Sequence, residues 1–541
     1  MKEIKGNAVS SGVALGTVLF VNNIEKSSEI ATVENVEQEV SNLHQALDKA
    51  AEELNALYEK ALTSADNSVA DIFMIHGMML QDDDFRGRME ELIREHKYSA
   101  VSAVSQAAKE FAAGLAETGN DYIAERGADI SDVENRVIRI LKGTDSIVIP
   151  DSSKKIILIA NEITPSLTLM FDRSQLLGIV SAKGSQTCHA AILARSLGIP
   201  AVITNGNVYT QEINGLDCIV DGLSGNVIFS PDEAKKSEYE TKRVNYLKEV
   251  EELQKLKTEE AVTLSGKKVK LFCNVGNLED VDAALEVGAD GVGLFRSEFL
   301  YLGREDLPTE DELTSVYSKA AKKLNGKKLV IRTLDIGADK KTPCIPMKDE
   351  PNPALGIRAL RLCFARTDLF GIQLRAILRA AVDGNVSVMF PMICSVSEIR
   401  RAKALMASAA AELEAKGIPH AAKIETGIMV ETPAAAVISD LLAQEVDFFS
   451  IGTNDLTKYT LAVDRENEDC APYCDAHHEA VLRLIELTAS NAHKNHIWCG
   501  ICGELGADLS CTERFVNCDM DELSVSPRAL LPLKKKIREI K

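Results

Sequence analysis

The side chains of this 541-residue chain whose types and settings could carry out a reaction fall into two groups. The first is His189, which ends the loop GSQTC (184–188) and leads into the helix-like run AAILARSL (190–197). A histidine there sits at a helix N-terminus, where free N–H groups and the helix dipole favour an anion and so support a phosphoryl group on the imidazole. Neutral imidazole is also a competent nucleophile near pH 7. The second group follows a series of short apolar runs. Arg296 follows GVGLF, Arg332 follows LVI, Glu431 follows GIMV, Asn454 and Asp455 follow FFSI, and Cys502 and Glu504 follow WCGI, with Arg358 and Arg465 in connecting segments. Guanidiniums converging on one mouth would bind a small, multiply charged phosphate or carboxylate through fork-shaped hydrogen bonding. The carboxylates of Glu431 and Asp455 suit Mg²⁺, a hard cation that takes a couple of carboxylates plus substrate oxygens. Any one of these residues is ordinary as a surface salt bridge or cap; polar residues at five strand ends together are not.

These residues need elements to position them. Apolar runs at 269–273, 291–295, 329–331, 386–390, 427–430, 448–451, 497–501 and 522–525 predict eight strands with helical connections. That pattern is a (β/α)8 TIM barrel over 261–541, whose catalytic groups come from the C-terminal strand ends. Upstream, runs at 156–159, 177–180 and 218–220 predict a compact α/β module that the strand-like segment 12–21 joins. Its domain would then be 1–22 plus 144–230. Between those pieces, Val33, Val36, Val40, Leu43, Leu47, Ala50, Leu54, Leu57 and Ala61 recur in steps of three and four, the stripe of a bundled helix. Further helices over 70–80, 101–115 and 131–141 make 23–143 an inserted α-helical bundle. Residues 231–260 are Lys/Glu-rich and read as a solvated linker helix that permits rigid-body motion.

Composition narrows the function. With 61 Lys+Arg against 81 Asp+Glu, the net charge of −20 opposes non-specific binding to nucleic acid or anionic membranes, so an anionic ligand must meet a local cationic pocket. No apolar run approaches the length of a membrane span, and a cytoplasmic location is expected. Twelve scattered cysteines read as reduced, mostly buried thiols. A redox or zinc protein built on Cys499 and Cys502, or on Cys470, Cys474, His477 and His478, is the contrasting reading; the latter run lacks a clean paired-zinc spacing. A third class, a catalytically dead regulator, is opposed by intact His189, Cys502, Glu431 and Asp455.

The motifs GSQTCHAAILARSL (184–197), GLFRSEFLY (293–301), IRTLD (331–335), NPALGIR (352–358), MVETP (429–433), IGTNDL (451–456) and CGE (502–504) resemble those of the phosphoenolpyruvate-utilising enzymes. Their order over nearly the whole chain is similar to the Enzyme I branch of bacterial sugar phosphotransferase systems. The resemblance implies an α/β multidomain architecture with a swivelling phosphohistidine domain. It implies that His189 takes the phosphoryl group of phosphoenolpyruvate and passes it to a histidine of the small carrier HPr, which docks on the helical insertion, and that Arg126 matches a basic position near the phosphohistidine. Mg²⁺ would be held by Glu431 and Asp455. Arg296, Arg332, Arg358, Asn454 and Arg465 would hold substrate, and Cys502 would protonate the enolate to give pyruvate. A homodimer through the barrel is the family habit, and because the sequence ends before a final helical segment usual in that branch, weaker dimerisation is expected. Cys188, Ala190, Gln186, Lys458 and Glu466 depart from that branch, and Thr187-Cys188-His189 is closer to nucleotide-dependent phosphoenolpyruvate synthases and pyruvate phosphate dikinases. Those enzymes need an ATP-grasp domain, which the short, helical region before His189 does not supply.

Overall fold

The structure, a computed structural model, describes residues 2–21, 30–63, 67–116, 121–143, 155–161, 163, 167, 175–184, 191, 194–195, 197–206, 209–337, 342–348, 350–464, 467 and 469–541. The chain divides into two compact units, residues 1–249 and 250–541.

The first unit contains a helical bundle and an eight-stranded sheet. The sheet takes its first three strands, β1 (Lys2–Lys5), β2 (Asn7–Ser10) and β3 (Val13–Val21), from before the bundle. The other five follow it: β4 (Ile156–Ala160), β5 (Leu176–Ser181), β6 (Ala201–Ile203), β7 (Asp217–Asp221) and β8 (Asn226–Phe229). Their order is β1-β8-β7-β3-β4-β5-β6-β2. The two edge strands are consecutive in the chain and are joined by the single residue Gly6. A Cβ at Gly6 would lie 2.5 Å from the Ile203 carbonyl oxygen, too close for any side chain. β1, β2, β6 and β8 were not anticipated; runs of three or four residues are too short for alternation to show.

The bundle comprises α1 (Val36–Thr63), α2 (Asn67–Gln81), α3 (Asp83–His96), α4 (Ala100–Ala116) and α5 (Asp121–Leu141). Val33 precedes the first helix, whose start is marked by the Asn35 side chain accepting from the Gln38 N–H. Ser131 lies inside α5 rather than capping a separate helix. α3 was overlooked because DDFRGRMEELIREH is dominated by charge, yet Phe85, Met89, Leu92 and Ile93 form a buried face and the Asp82 side chain caps it at the Phe85 N–H. The following helix, Glu233–Lys255, is less solvated than its composition predicts: Tyr239 is buried with Val13, Ile219 and Ile228, and Lys236 and Lys242 pair with Asp217 and Asp221.

The second unit is a closed parallel barrel of eight strands, β9 (Lys270–Val275), β10 (Gly291–Arg296), β11 (Lys328–Arg332), β12 (Val386–Phe390), β13 (Glu425–Val430), β14 (Phe448–Ile451), β15 (Trp498–Ile501) and β16 (Glu522–Val525). All eight expected strands are present. Alternation along each strand separates two cores. Phe449, Ile451, Cys499 and Ile501 face the helical shell, whereas Leu294, Val330, Met389, Met429, Phe448 and Cys502 pack inside the barrel. The floor is closed by Phe448 and Trp498, stacked at 4.3 Å, with Lys328 over the indole and Glu425 accepting from its N–H. No described helix is long and apolar enough to cross a membrane.

Candidate active site

The C-terminal ends of β10, β11, β13, β14 and β15 surround one cavity of about 260 Å³, a volume suited to a small molecule. Arg296, Arg332, Glu431, Asn454, Asp455 and Cys502 all line it, with Glu298, Asp335 and Glu504 beside them. Arg332 ends β11 and is buried. Its guanidinium donates to Glu298 and lies 3.1 Å from an Asp335 oxygen, while Nε has no hydrogen-bond partner among the described residues. Burial works against its charge, but Glu298 and Asp335 outweigh that and hold it firmly protonated. Arg358 reaches the same carboxylate, donating to Asp335 Oδ1 at 3.1 Å and to the Tyr459 hydroxyl at 3.2 Å, with Asp455 Oδ1 at 3.7 Å. Asp335, 1% exposed, therefore fixes two buried guanidiniums side by side. No chemical role was expected of it or of Glu298, although its place three residues beyond a strand end was a readable signal.

Glu431 is buried against a glycine: a Cβ on Gly452 would lie 2.9 Å from its Oε2. Its other oxygen accepts from the Met392 N–H at 2.6 Å, and Met392 holds φ at +56° to aim that donor. Few bulky residues adopt such a backbone, and strain of this sort gathers at functional sites. Burial, then the neighbouring Asp455 and Asp335, pushes the Glu431 carboxyl up to about 8. Three carboxylates whose charges oppose one another are a donor set that a cation would relieve, so the residues fit a hard divalent ion. Asn454 is held in a reciprocal pair with Glu504, donating to its side chain at 3.2 Å and accepting from its N–H at 3.1 Å. Cys502 donates its S–H to the Ile451 carbonyl at 3.7 Å. Burial, chiefly, pushes its thiol up to about 12, so it is fully protonated at neutral pH.

Behind this layer, Ser297 donates to the Arg332 carbonyl at 2.7 Å and Gln373 ties Ser297 to the Leu334 N–H, fixing the turn that carries Arg332. His189, Arg465 and the Arg126 side chain lie outside the described residues, as do Gln186, Cys188, Ala190 and Glu466. The structure brings the zinc-like run to no shared centre. His478 caps its own helix, His477 bonds Asp508 at 2.7 Å, and the described grouping of metal-ligating types there, His477, Asp508 and Cys511, includes neither Cys470 nor Cys474. Cys499 points into the outer core, away from Cys502 inside the barrel.

Residues 5–126, 152–225 and 250–541 match the family models described as PEP-utilising enzyme, N-terminal; mobile domain; and PEP-binding domain. Over 539 residues the chain is 41% identical to the phosphoenolpyruvate-protein phosphotransferase of Priestia megaterium, covering all of this chain and 94% of that one. The corresponding protein of Bacillus subtilis is 39% identical over 543 residues, with 100% and 95% coverage. A solution structure of an Enzyme I protein aligns with 34% identity over 45% of this chain and 99% of its own, at a TM-score of 0.39.

Proposed function

Since the chain belongs to the phosphoenolpyruvate-utilising enzymes, at about 40% identity to phosphotransferases along its full length, we propose that it moves the phosphoryl group of phosphoenolpyruvate first to His189 and then to a histidine of the carrier HPr. The observation that carries this reading is the convergence of Arg332 and Arg358 on Asp335 in the cavity that Glu431, Asp455 and Cys502 also line. Arg332 and Arg358, with Arg296, Arg465 and the Asn454 amide, bind the phosphate and carboxylate and offset charge as the P–O bond breaks, the main lever in phosphoryl transfer. Glu431 and Asp455 hold a divalent cation, Mg²⁺ in this reading, whose charge offsets that of the substrate oxygens. His189 attacks phosphorus in line with the leaving oxygen. Cys502, protonated because it is buried, delivers its proton to the terminal carbon of the enolate, giving pyruvate.

The test is incubation with labelled phosphoenolpyruvate and Mg²⁺, then with candidate HPr carriers. An acid-labile phosphohistidine that is lost in His189→Ala and chases onto the carrier is expected; label on a serine or aspartate would overturn the proposal. Cys502→Ala should slow formation of pyruvate far more than it raises KM, because its role begins only once P–O cleavage is under way.

A further inference from the structure

Beneath Cys502 the barrel interior contains polar groups that the reaction above does not use. Glu522 on β16 is 2% exposed, and neither of its carboxyl oxygens has a hydrogen-bond partner among the described residues. The hydroxyls of Ser450 on β14 and Ser524 on β16, and Oδ1 of Asn274, are also buried with no hydrogen-bond partner placed among the described residues. Isolated groups of this kind are costly, and five such atoms lining one barrel interior form a built site.

Strand register shows how they meet. Ser450 pairs with Gly500, and Gly500 pairs with Glu522, so the three residues occupy one row across β14, β15 and β16. Cys502 is two residues beyond Gly500 and so faces the same interior. Gly500 leaves the middle of the row empty, and the Glu522 carboxyl fills it: Oε2 lies 1.9 Å from where a Cβ on Gly500 would be. Gly293 on β10 gives the same carboxyl room from the other side, its Cβ position lying 2.6 Å from Oε1 and 2.7 Å from Ser524 Oγ. The stacked Phe448 and Trp498 close the floor.

We infer that Glu522 and Ser450 form a buried donor chain that stabilises the thiolate Cys502 becomes when it protonates the enolate. This rests on the assignment of Cys502 as proton donor. In that step the Cys502 S–H bond breaks and its proton forms a C–H bond at the terminal carbon, while the enolate oxygen becomes the pyruvate carbonyl. The electron pair left on sulfur accepts a hydrogen bond from the Ser450 hydroxyl, and Ser450 in turn accepts from Glu522 through one buried water. Glu522 keeps its proton throughout. Three observations favour this direction. Cys502 directs its own S–H to the Ile451 carbonyl, so its sulfur can accept from the neighbouring Ser450 hydroxyl. Ser450 is the hydroxyl that eases the thiol toward ionisation, whereas Glu522 and Glu431 would oppose it if charged and Arg332 favours it. Burial, followed by Asp521, holds Glu522 well above the usual carboxylate range against the opposing pull of Lys328, so the acid is neutral and able to donate. Donors prealigned on developing charge in a dry site need no reorganisation during the reaction.

The experiment reads two steps separately in the full chain with Mg²⁺. Exchange of pyruvate methyl protons for deuterium, followed by NMR, reports proton transfer at Cys502; single-turnover labelling by phosphoenolpyruvate reports phosphoryl transfer. Glu522→Leu and Ser450→Ala should each slow exchange by about 100- to 1000-fold, the loss typical of one buried donor to developing charge. Labelling in the same variants should change far less. Glu522→Gln, which keeps shape and a donor, should restore exchange to within about threefold of the original protein, a rescue that a proton-supplying role does not predict, while the loss in Glu522→Leu is one that a merely space-filling role does not predict. Exchange untouched in both Ser450→Ala and Glu522→Leu, or lost equally in Glu522→Gln, overturns the inference. Exchange untouched in Cys502→Ala would instead remove the proton-donor assignment beneath it.

Discussion

The most direct test of the mouth's geometry is Gly503→Ala. Gly503 follows Cys502, and a Cβ there would lie 1.9 Å from Thr453 Oγ1 and 2.5 Å from Thr453 N. The hydroxyl could rotate away, at the cost of the hydrogen bond it accepts from the Leu505 N–H at 3.4 Å. The amide cannot, because Thr453 is the first residue of the helix Thr453–Leu461 and the Thr457 hydroxyl anchors back to its carbonyl at 2.7 Å. Restoring ordinary contact requires that strand end and helix start separate by about 1 Å, and Asn454 and Asp455 move with the helix while Cys502 stays with β15. A 1 Å misplacement of reacting groups costs on the order of 100-fold in rate. The packing strain itself costs about 1–3 kcal/mol, which a barrel this size survives. We therefore expect kcat for pyruvate formation to fall by roughly 100-fold in a protein that keeps its circular dichroism spectrum at 25 °C. Gly87→Ala, in a helix where the added methyl meets nothing within 4 Å, is the matched control for introducing an alanine. A Gly503→Ala enzyme within threefold of the parent would refute the claim that the spacing between Cys502 and the Asp455 turn is set by that contact.

Two further outcomes follow from the buried charges. Asp335→Asn leaves Arg332 and Arg358 without the carboxylate they share, which should lower stability by about 3–5 kcal/mol as read by denaturant unfolding, while phosphoenolpyruvate should raise Tm more than in the parent because its anionic groups replace the lost charge; equal ligand-induced shifts would argue against a substrate held by these two arginines. Glu431, raised by burial and by Asp455 and Asp335 to about 8, contributes stability below its ordinary 4.5 that is lost as pH rises toward 8 in cation-free protein. Mg²⁺ must displace that proton, so its affinity should weaken by up to about tenfold per pH unit on going from 8 to 6.5 in a thermal-shift titration, and a pH-independent affinity would exclude Glu431 as a ligand.

The barrel was legible because each of its eight strands is a short apolar run and the polar residue after each run stands out. The same contrast hid Glu298 and Glu522. Glu298 follows Arg296 in a segment whose exposed Phe299 makes it look like surface, although its carboxylate is buried against Arg332. Glu522 lies at the start of a run read only as strand, and an acid there looks like a solvent-facing end until register shows it pointing inward. In the first unit, charge concealed α3 and brevity concealed four strands. Long-range pairing, which no local pattern encodes, decides the strands and the two buried acids.

Glycine explains why the inward face could be read only from the structure. Gly427, Gly452, Gly500 and Gly503 all keep φ in the range open to any residue, so none is required for backbone freedom. Each is required for space. A Cβ on Gly427 would strike the Phe448 ring at 2.4 Å, one on Gly452 would strike Glu431, one on Gly500 would strike Glu522, and one on Gly503 would strike Thr453. Four strand or strand-end positions thus give up their own side chains so that a neighbour's aromatic floor, carboxylate, buried acid or helix start can enter the barrel axis. In the sequence these positions register only as weakened strand propensity. In the fold they set where charge and protons can be placed. An alanine at any of them should therefore impair the particular function of the neighbour it displaces, more than it impairs the barrel's ability to fold.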